Sequence, residues 1–91
     1  MHGLMMDTPL LITEIMRFAE RNFADREVVS VTFDNPRHRT SLGEVFRRAR
    51  KLANALQAAG VKQGDRVATL AWNDYRHLEL YYAVSCMGAV L

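Results

Sequence analysis

The sequence predicts an α/β fold that is an incomplete piece of a larger subdomain, and its last third carries this prediction. An apolar run at 67–72 follows a Gly64-Asp65 turn, and an apolar helical segment then leads to a second apolar stretch at 88–91. This is the order of a parallel strand pair joined by a right-handed helical crossover. Because the second strand has barely begun at Leu91, we expect a βαβ unit truncated at that strand, with no domain boundary inside residues 1–91.

The first predicted element is a helix from Thr8 to about Asn22. Thr8 is a suitable N-cap, and Pro9 suits the first helical position. Apolar residues then recur at helical spacing. They are Leu11, Ile15 and Phe18, with Ile12, Met16 and Ala19 widening the stripe.

A β-hairpin is predicted next. Residues 27–34 favour a strand, because Val29, Val31 and Phe33 alternate with the residues between them. The sequence at 35–38, Asn-Pro-Arg-His, is typical of a turn, and residues 39–40 can return as a short antiparallel arm.

The central helix has the clearest local signals. Ser41 and Glu44 predict a capping box at its start, and Gly60 suits the left-handed position after its end, with Val61 making the accompanying apolar contact. One face is apolar and the opposite face is polar. The apolar face consists of Val45, Ala49, Leu52, Leu56 and Ala59, flanked by Phe46 and Ala53; the polar face consists of Arg47, Arg50, Lys51, Asn54 and Gln57.

The last helix follows a strand at 67–71 and an entry signal at Asn73-Asp74. Its apolar residues spread around most of the circumference, which is typical of a helix buried on most sides. They are Leu78, Leu80, Tyr81, Tyr82, Ala83, Val84 and Met87. We expect one face to cover the sheet and the remainder to need a neighbour.

Composition narrows the function classes. The 91 residues carry a formal charge of +2 with acids interleaved among the bases, which argues against nucleic-acid binding. The single cysteine, Cys86, excludes an internal disulfide. We find no signal peptide and no apolar stretch of the ~20 residues that span a bilayer. These features are typical of a soluble cytoplasmic protein, and the 49% apolar content is more than a small monomer normally buries.

Several stretches together resemble the N-terminal region of adenylate-forming enzymes. They are Gly60-Val61 with Gly64-Asp65-Arg66-Val67-Ala68, the Trp72-Asn73 pair, His77-Leu78-Glu79 and Gly88-Ala89-Val90-Leu91. This superfamily contains acyl-CoA synthetases, luciferases and peptide-synthetase adenylation domains. The Met5-Met6 pair before Pro9, and Trp-Asn followed by His-Leu-Glu, are most similar to bacterial fatty-acid–CoA ligases. The resemblance covers essentially the whole chain, which would be a partial N-terminal region of the large N-terminal domain.

The resemblance implies an ATP-dependent fatty-acid–CoA ligase (AMP-forming). In such an enzyme a fatty acid attacks the α-phosphate of ATP to give an acyl-adenylate, and the thiol of coenzyme A then displaces AMP. The chemistry uses ATP, Mg²⁺ and coenzyme A, and the family's phosphate-binding loop lies downstream of this region. No glycine-rich phosphate motif occurs here. We therefore assign no catalytic, cofactor-binding or metal-binding residue to this chain, and we expect it to be inactive by itself.

The histidines and the cysteine are too dispersed to predict a metal site. His2, His38, His77 and Cys86 show no ligand spacing. We interpret His38 as a solvated turn residue, His77 as a packing or hydrogen-bonding residue in the first turn of the last helix, and Cys86 as a buried structural thiol without a basic neighbour.

Two further groups admit a functional and a structural interpretation. The cluster Arg47-Arg48-Lys51 could attract the phosphates of coenzyme A, but a solvated helix face is favoured. Four aromatic residues could line an acyl pocket, but core packing is favoured. They are Trp72, Tyr75, Tyr81 and Tyr82.

Two other functions stay open from the sequence. The first is a free-standing interaction module whose exposed apolar helix face docks on a partner. The second is a nucleotide-binding α/β protein of another kind, although the 72–74 turn lacks the glycine that lets a backbone approach a pyrophosphate. The expected partner is the remainder of the parent enzyme, and we expect the isolated chain to self-associate through its last helix and sheet edge.

Overall fold

The computed structural model describes residues 3–91 and contains three helices and one two-stranded sheet. Helix α1 spans Ile12–Phe23, strands β1 and β2 span Glu27–Ser30 and His38–Ser41, and helices α2 and α3 span Leu42–Ala58 and Tyr75–Cys86. The mixed α/β layout of helix, hairpin, helix, linker and helix confirms the predicted fold class.

Helix α1 begins three residues later than predicted. Its N-cap is Leu11, which is extended and makes no side-chain cap, so the prediction of a start at Thr8 is wrong. A tight backbone turn, in which the amide of Leu11 donates to the carbonyl of Pro9, separates Pro9 from the helix. A cap is worth only about 1 kcal/mol, and helix formation starts instead where Ile12 and Met16 begin to gain burial.

The hairpin is antiparallel, and its register pairs Glu27 with Ser41 and Ser30 with His38. The predicted strand at 27–34 ends at Ser30, which corrects the sequence prediction. Local hydrogen bonds replace the ladder beyond that point. Thr32 donates its amide to the carbonyl of Asn35, and its hydroxyl accepts from the amide of Asn35. Such side-chain bonds to nearby backbone groups compete with strand pairing.

Helix α2 confirms the predicted start and end. The Ser41 hydroxyl accepts from the amide of Glu44 at 3.2 Å. The reciprocal half of the capping box is absent, because the Glu44 carboxylate accepts from Arg47 instead. At the other end, Gly60 has φ 101° and donates to the carbonyl of Gln57, and Val61 donates to Leu56. These two bonds form a Schellman cap.

The core lies where α1, α2 and α3 meet the hairpin. Its fully buried centre is formed by Val45 and Phe46, with Met16 of α1 beside them. Phe46 was expected to flank the buried face. Leu52 and Leu56, expected on that face, are only half-buried, and Ala59 is exposed. Burial on α2 is therefore concentrated in its first two turns, where both other helices pack.

Helix α3 begins and ends with clear caps. The Asp74 carboxylate accepts from the amides of Arg76 and His77, which confirms the predicted entry signal. Gly88, with φ 86°, and Ala89 form a second Schellman cap by donating to Ser85 and Val84. The helix is better covered than expected, because Tyr81 is its one large apolar side chain exposed within residues 3–91.

The predicted parallel strand pair is present only as a single bridge. Arg66 pairs with Val90, Val67 donates to the carbonyl of Val90, and Val90 donates to that of Asp65. Residues 68–71 do not form the expected strand. A ladder propagates only where a partner runs alongside, and within residues 3–91 the bonds of this pair reach no further than Val67 and Val90.

Candidate functional site

A small polar cleft between β2, α2 and α3 contains an ion pair of which one partner is buried. Glu79 of α3 is 5% exposed and accepts a 2.6 Å hydrogen bond from Nε of Arg48 on α2. The Glu79 carboxylate raises the pKa of the Arg48 guanidinium above its usual value. Because the Arg48 side chain keeps 49% of its surface, its other N–H groups can reach water. The pair therefore ties α3 to α2 at a modest desolvation cost.

The wall of this cleft is a histidine–tyrosine stack. The rings of His38 and Tyr75 are nearly parallel, with centroids 3.8 Å apart. His38 is half-buried in β2, so its interpretation as a solvated turn residue is wrong; pairing with Ser30 draws it under α3. Its Nδ1 atom is buried without a hydrogen-bond partner among residues 3–91. The cleft encloses about 180 Å³ and contains no pairing of a nucleophile with a base.

Sequence reasoning missed the role of Glu79. The available signal was an acidic residue on a helix that is apolar on most sides. A charged side chain on such a helix is buried only when it is paired, so Glu79 indicated an ion pair. The partner, Arg48, lies 31 positions away, and no local pattern connects the two.

The basic cluster on α2 is largely neutralised by carboxylates. Arg47 binds Glu44 in the same helix, and Arg48 binds Glu79. Arg50, on the same polar face, binds both carboxylate oxygens of Glu20 on α1 and lowers the pKa of that carboxyl. The arrangement supports the structural interpretation of this face over an anion site for coenzyme phosphates.

A groove of about 420 Å³ between the three helices exposes part of Cys86. The Cys86 thiol lies 3.7 Å from the sulfur of Met16. Burial raises the pKa of the thiol, while Thr13, Arg50 and Arg17 oppose this rise. The expectation that Cys86 lacks basic neighbours is therefore corrected, since α1 and α2 supply both arginines. Burial dominates, and the thiol stays protonated near neutral pH.

The remaining histidine and aromatic candidates do not line one common site, although the rings of Tyr81 and Tyr82 pack edge-to-face with centroids 5.2 Å apart. His77 approaches the hydroxyl of Thr69 at 3.3 Å, which confirms a hydrogen-bonding role. Tyr82 packs edge-on against Phe46, whereas Trp72 is 84% exposed. His2 lies outside the described residues. Within residues 3–91, no group of three or more histidine, cysteine, aspartate or glutamate residues could hold a metal ion.

The glycines do not form a cradle for a nucleotide. Gly60 and Gly88 end helices, and Gly64 closes the 62–65 turn with φ 86°. Each positive φ is therefore used in a local turn and not in a phosphate-binding loop. The glycines within residues 3–91 do not fit the phosphates of ATP.

Residues 68–72, which we call the sheet edge, follow the bridge at Arg66 and belong to no helix or strand of the described chain. Leu70 and Trp72 are 106% and 84% exposed. Within the described residues, the amides of 68–72 donate to no backbone carbonyl. Apolar side chains beside free backbone groups are typical of a strand that lacks its neighbour. No helix within residues 3–91 is both long and apolar enough to cross a membrane.

Comparison with known proteins gives a consistent result. Residues 16–91 match the model of the AMP-binding enzyme family. The chain is 49% identical over 87 residues to the long-chain-fatty-acid–CoA ligase of Thermus thermophilus, which covers 96% of this chain and 16% of the relative. It is 49% identical over 90 residues to the medium-chain-fatty-acid–CoA ligase of Ectopseudomonas oleovorans, covering 99% and 16%.

A third relative carries a different substrate in its name. The 3-methylmercaptopropionyl-CoA ligase of Ruegeria lacuscaerulensis is 46% identical over 90 residues, which is 99% of this chain and 17% of the relative. The chain thus spans about one sixth of the length of these relatives. A family match over most of the chain, together with identities near one half, confirms the resemblance seen in the sequence: this chain belongs to the AMP-binding enzyme family.

Proposed function

We propose that this chain is part of an ATP-dependent acyl-CoA synthetase that converts a fatty acid to an acyl-adenylate and transfers the acyl group to coenzyme A. The observation that carries the proposal is the family match at 16–91, supported by three similar proteins named as CoA ligases. Two of the three are named for fatty acids, which favours that substrate class. The reaction consumes ATP and coenzyme A with Mg²⁺, and we propose a cytoplasmic location for it.

Within that enzyme, we propose that residues 1–91 form a partial N-terminal region of the large N-terminal domain and act as scaffold. The Arg48–Glu79 ion pair and the helix caps fix the helices, while the sheet edge is left for a further strand. The proposed partner is the remainder of the enzyme, which would pair with the edge backbone and cover Leu70 and Trp72. We propose no catalytic residue here.

One observation favours a second function, a free-standing interaction module. Helix α1 exposes an apolar face of Leu11, Ile15 and Phe18, each more than half exposed. Exposed apolar patches are typical of interaction sites. A module of this kind would bind a partner without help from ligase sequences.

A chimera tests the scaffold proposal. The matching segment of the Thermus thermophilus ligase is replaced by these 91 residues, and fatty-acid-dependent ATP–pyrophosphate exchange is measured. We expect activity within about tenfold of the parent enzyme, because the segment supplies shape rather than reacting groups. Leu70→Asp should reduce folding and activity of the chimera by placing a charge in the covered edge. The matched control, Leu4→Asp, lies outside the edge and should change little.

The isolated chain provides the second arm of this test. Incubated with ATP, Mg²⁺, a fatty acid and labelled pyrophosphate, it should show no exchange above a protein-free blank. Exchange by the chain alone would contradict the scaffold role. A folded chimera without activity, together with a chain that binds a protein partner by itself, would favour the interaction module instead.

A further inference from the structure

Helix α1 is apolar on two sides, and only one side packs into the core of the described chain. Met16 is buried in the core, and Ala19 packs beside it. On the second side lie Leu11, Ile15 and Phe18, which we call the outer stripe; they are 51%, 55% and 57% exposed. The outer stripe presents one large apolar side chain per turn, which is the spacing by which helices pack against their neighbours.

The apolar surface of α1 is wider than packing on one side requires. Phe23, the last residue of α1, extends it, because the Phe18 and Phe23 rings pack edge-to-face with centroids 6.0 Å apart. At about 100° per residue, the outer stripe lies next to the core side, and Glu14, Arg17 and Arg21 occupy the opposite arc. Apolar residues therefore cover roughly half of the circumference, compared with the ~100° stripe of a helix that packs on one side.

The exposed area of the chain indicates how much covering surface is needed. A folded monomer of 10.4 kDa exposes about 5,400 Å², whereas this chain exposes 7229 Å². The excess of about 1,800 Å² is more than twice the ~800 Å² that a standard interface covers on each partner. Exposed apolar side chains also lie outside α1, among them Val31 and Phe33 after β1 and Leu70 and Trp72 in the sheet edge. A second copy in one standard two-fold contact would therefore leave more than half of the excess exposed.

We propose that the remainder of the parent protein covers the outer stripe, so that α1 is an interior helix between the core described above and a further apolar surface. This inference rests on the proposed function, because a remainder exists only if the chain is part of a larger ligase. The matches to the three relatives cover 96%, 99% and 99% of this chain, so α1 lies in the shared region. The same matches cover 16%, 17% and 16% of the relatives, and the other five sixths of such a protein can cover several separate surfaces at once.

The charges of α1 argue for an apolar contact and against a lipid surface. Glu14 binds Arg17, and Glu20 binds Arg50 of α2, so these charges are paired within the chain. With Arg21, helix α1 carries two acids and two bases, whereas helices that lie on membranes are rich in lysine and arginine on their polar side. The outer stripe is therefore the part of α1 that gains most from being covered.

Thiol labelling in the chimera described above tests this inference. Cysteine is introduced at one position at a time, as Ile15→Cys or Phe18→Cys in the outer stripe and as Arg17→Cys on the polar side, where the side chain is 61% exposed. Reaction with a maleimide is followed by mass spectrometry of the α1 peptide, and the rates in denaturant correct for intrinsic reactivity. Both stripe cysteines should react at least about tenfold more slowly than the Arg17→Cys control, because a covered thiol reacts only through local opening. This protection should be the same at low and at high chimera concentration.

Equal corrected rates at the three positions would overturn the inference. So would protection of the stripe cysteines that appears only at high concentration, which indicates a second copy, or only with anionic lipid vesicles. Pyrophosphate exchange by the unsubstituted chimera is measured separately and tests the proposed function. An active chimera with fully reactive stripe cysteines would overturn this inference alone. An inactive chimera with protected stripe cysteines would support it and count against the ligase proposal.

Discussion

At the scale of single residues, Phe46 should be the most sensitive apolar position tested in α2. It is fully buried and packs edge-on against Tyr82, with ring centroids 5.0 Å apart. Phe46→Ala should lower the free energy of unfolding by about 3–5 kcal/mol, through lost burial and the cavity left behind. Leu52→Ala, at a half-buried position of the same helix, should cost about 2 kcal/mol, the lower end of that range. Urea denaturation of both variants measures the difference, and equal losses would contradict the assigned core.

The helical pattern of α2 locates its buried face but not the depth of burial along it. Val45 and Ala49 were predicted inside and are buried, whereas Leu52 and Leu56 were predicted inside and remain partly exposed. Periodicity reports which side of a helix is apolar. How much of that side is covered depends on where α1 and α3 cross α2. The crossing points are set by tertiary contacts, which periodicity within α2 does not report.

Cys86 gives the stability of the chain a dependence on alkaline pH. Burial raises the pKa of its thiol, so the folded state holds the proton more tightly than the unfolded state does. The resulting stability is fully present below the ordinary thiol pKa of about 8.5 and is lost as pH rises toward the higher folded value. Burial also raises the pKa of Tyr82, which adds to the decline at higher pH.

The measurement for Cys86 compares unfolding free energies at pH 7 and pH 9.5. The unmodified chain should lose stability between these values, and Cys86→Ala should lose less, because the variant has no thiol to ionise. If both proteins lose the same unfolding free energy between pH 7 and pH 9.5, the Cys86 thiol does not cause the decline in stability.

At the scale of elements, Gly88 and Gly60 offer a matched comparison. Both end a helix with positive φ, at 86° and 101°, so alanine at either position should cost about 1–2 kcal/mol in backbone strain. A side chain at Gly88 would also meet Cγ of Gln63 at 3.0 Å, whereas one at Gly60 meets nothing within 4 Å.

Gly88→Ala should therefore be the more destabilising of the two substitutions. Combining it with Gln63→Ala should remove the extra loss, while Gln63→Ala should not change the cost of Gly60→Ala. Thermal unfolding of the original chain, the three single variants and the two double variants is the measurement. If the stability loss caused by Gly88→Ala is the same with and without Gln63→Ala, the contact between the two positions does not account for the extra loss.

Element boundaries with local hydrogen-bonding signals could be predicted from the sequence, and the others could not. Ser41, Gly60 and Asp74 mark helix ends because their roles depend on residues within one turn. Thr8 gave the same kind of signal and was misleading, since burial begins only at Ile12. The Arg48–Glu79 pair was not predictable, because nothing within either segment indicates the distant partner.

At the scale of the whole molecule, the exposed sheet edge should make the isolated chain self-associate. Leu70 and Trp72 project from a segment whose amides lack backbone partners within residues 3–91. Edges of this kind pair with other edges. Helix α3 exposes one large apolar side chain, Tyr81, within residues 3–91. The sheet edge therefore supplies more of the exposed apolar surface than α3 does.

Light scattering and binding of a dye for apolar surfaces measure this association. Leu70→Lys with Trp72→Lys should reduce both the mean assembly size and the dye signal. A chain that is monomeric in every variant, binds no dye and melts cooperatively would contradict both the edge prediction and the scaffold role.

The bridge between Arg66 and Val90 also has a consequence for the order of folding. Helices α2 and α3 each form from contacts within a few residues, but the bridge joins the two ends of the 66–90 segment. Closing such a loop is entropically unfavourable until α3 and its Gly88 cap have brought the ends together. We therefore expect the bridge to form late in folding and to open first under native conditions. The amides of Val67 and Val90 should exchange with solvent deuterium through this local opening, sooner than those in the middle of α2.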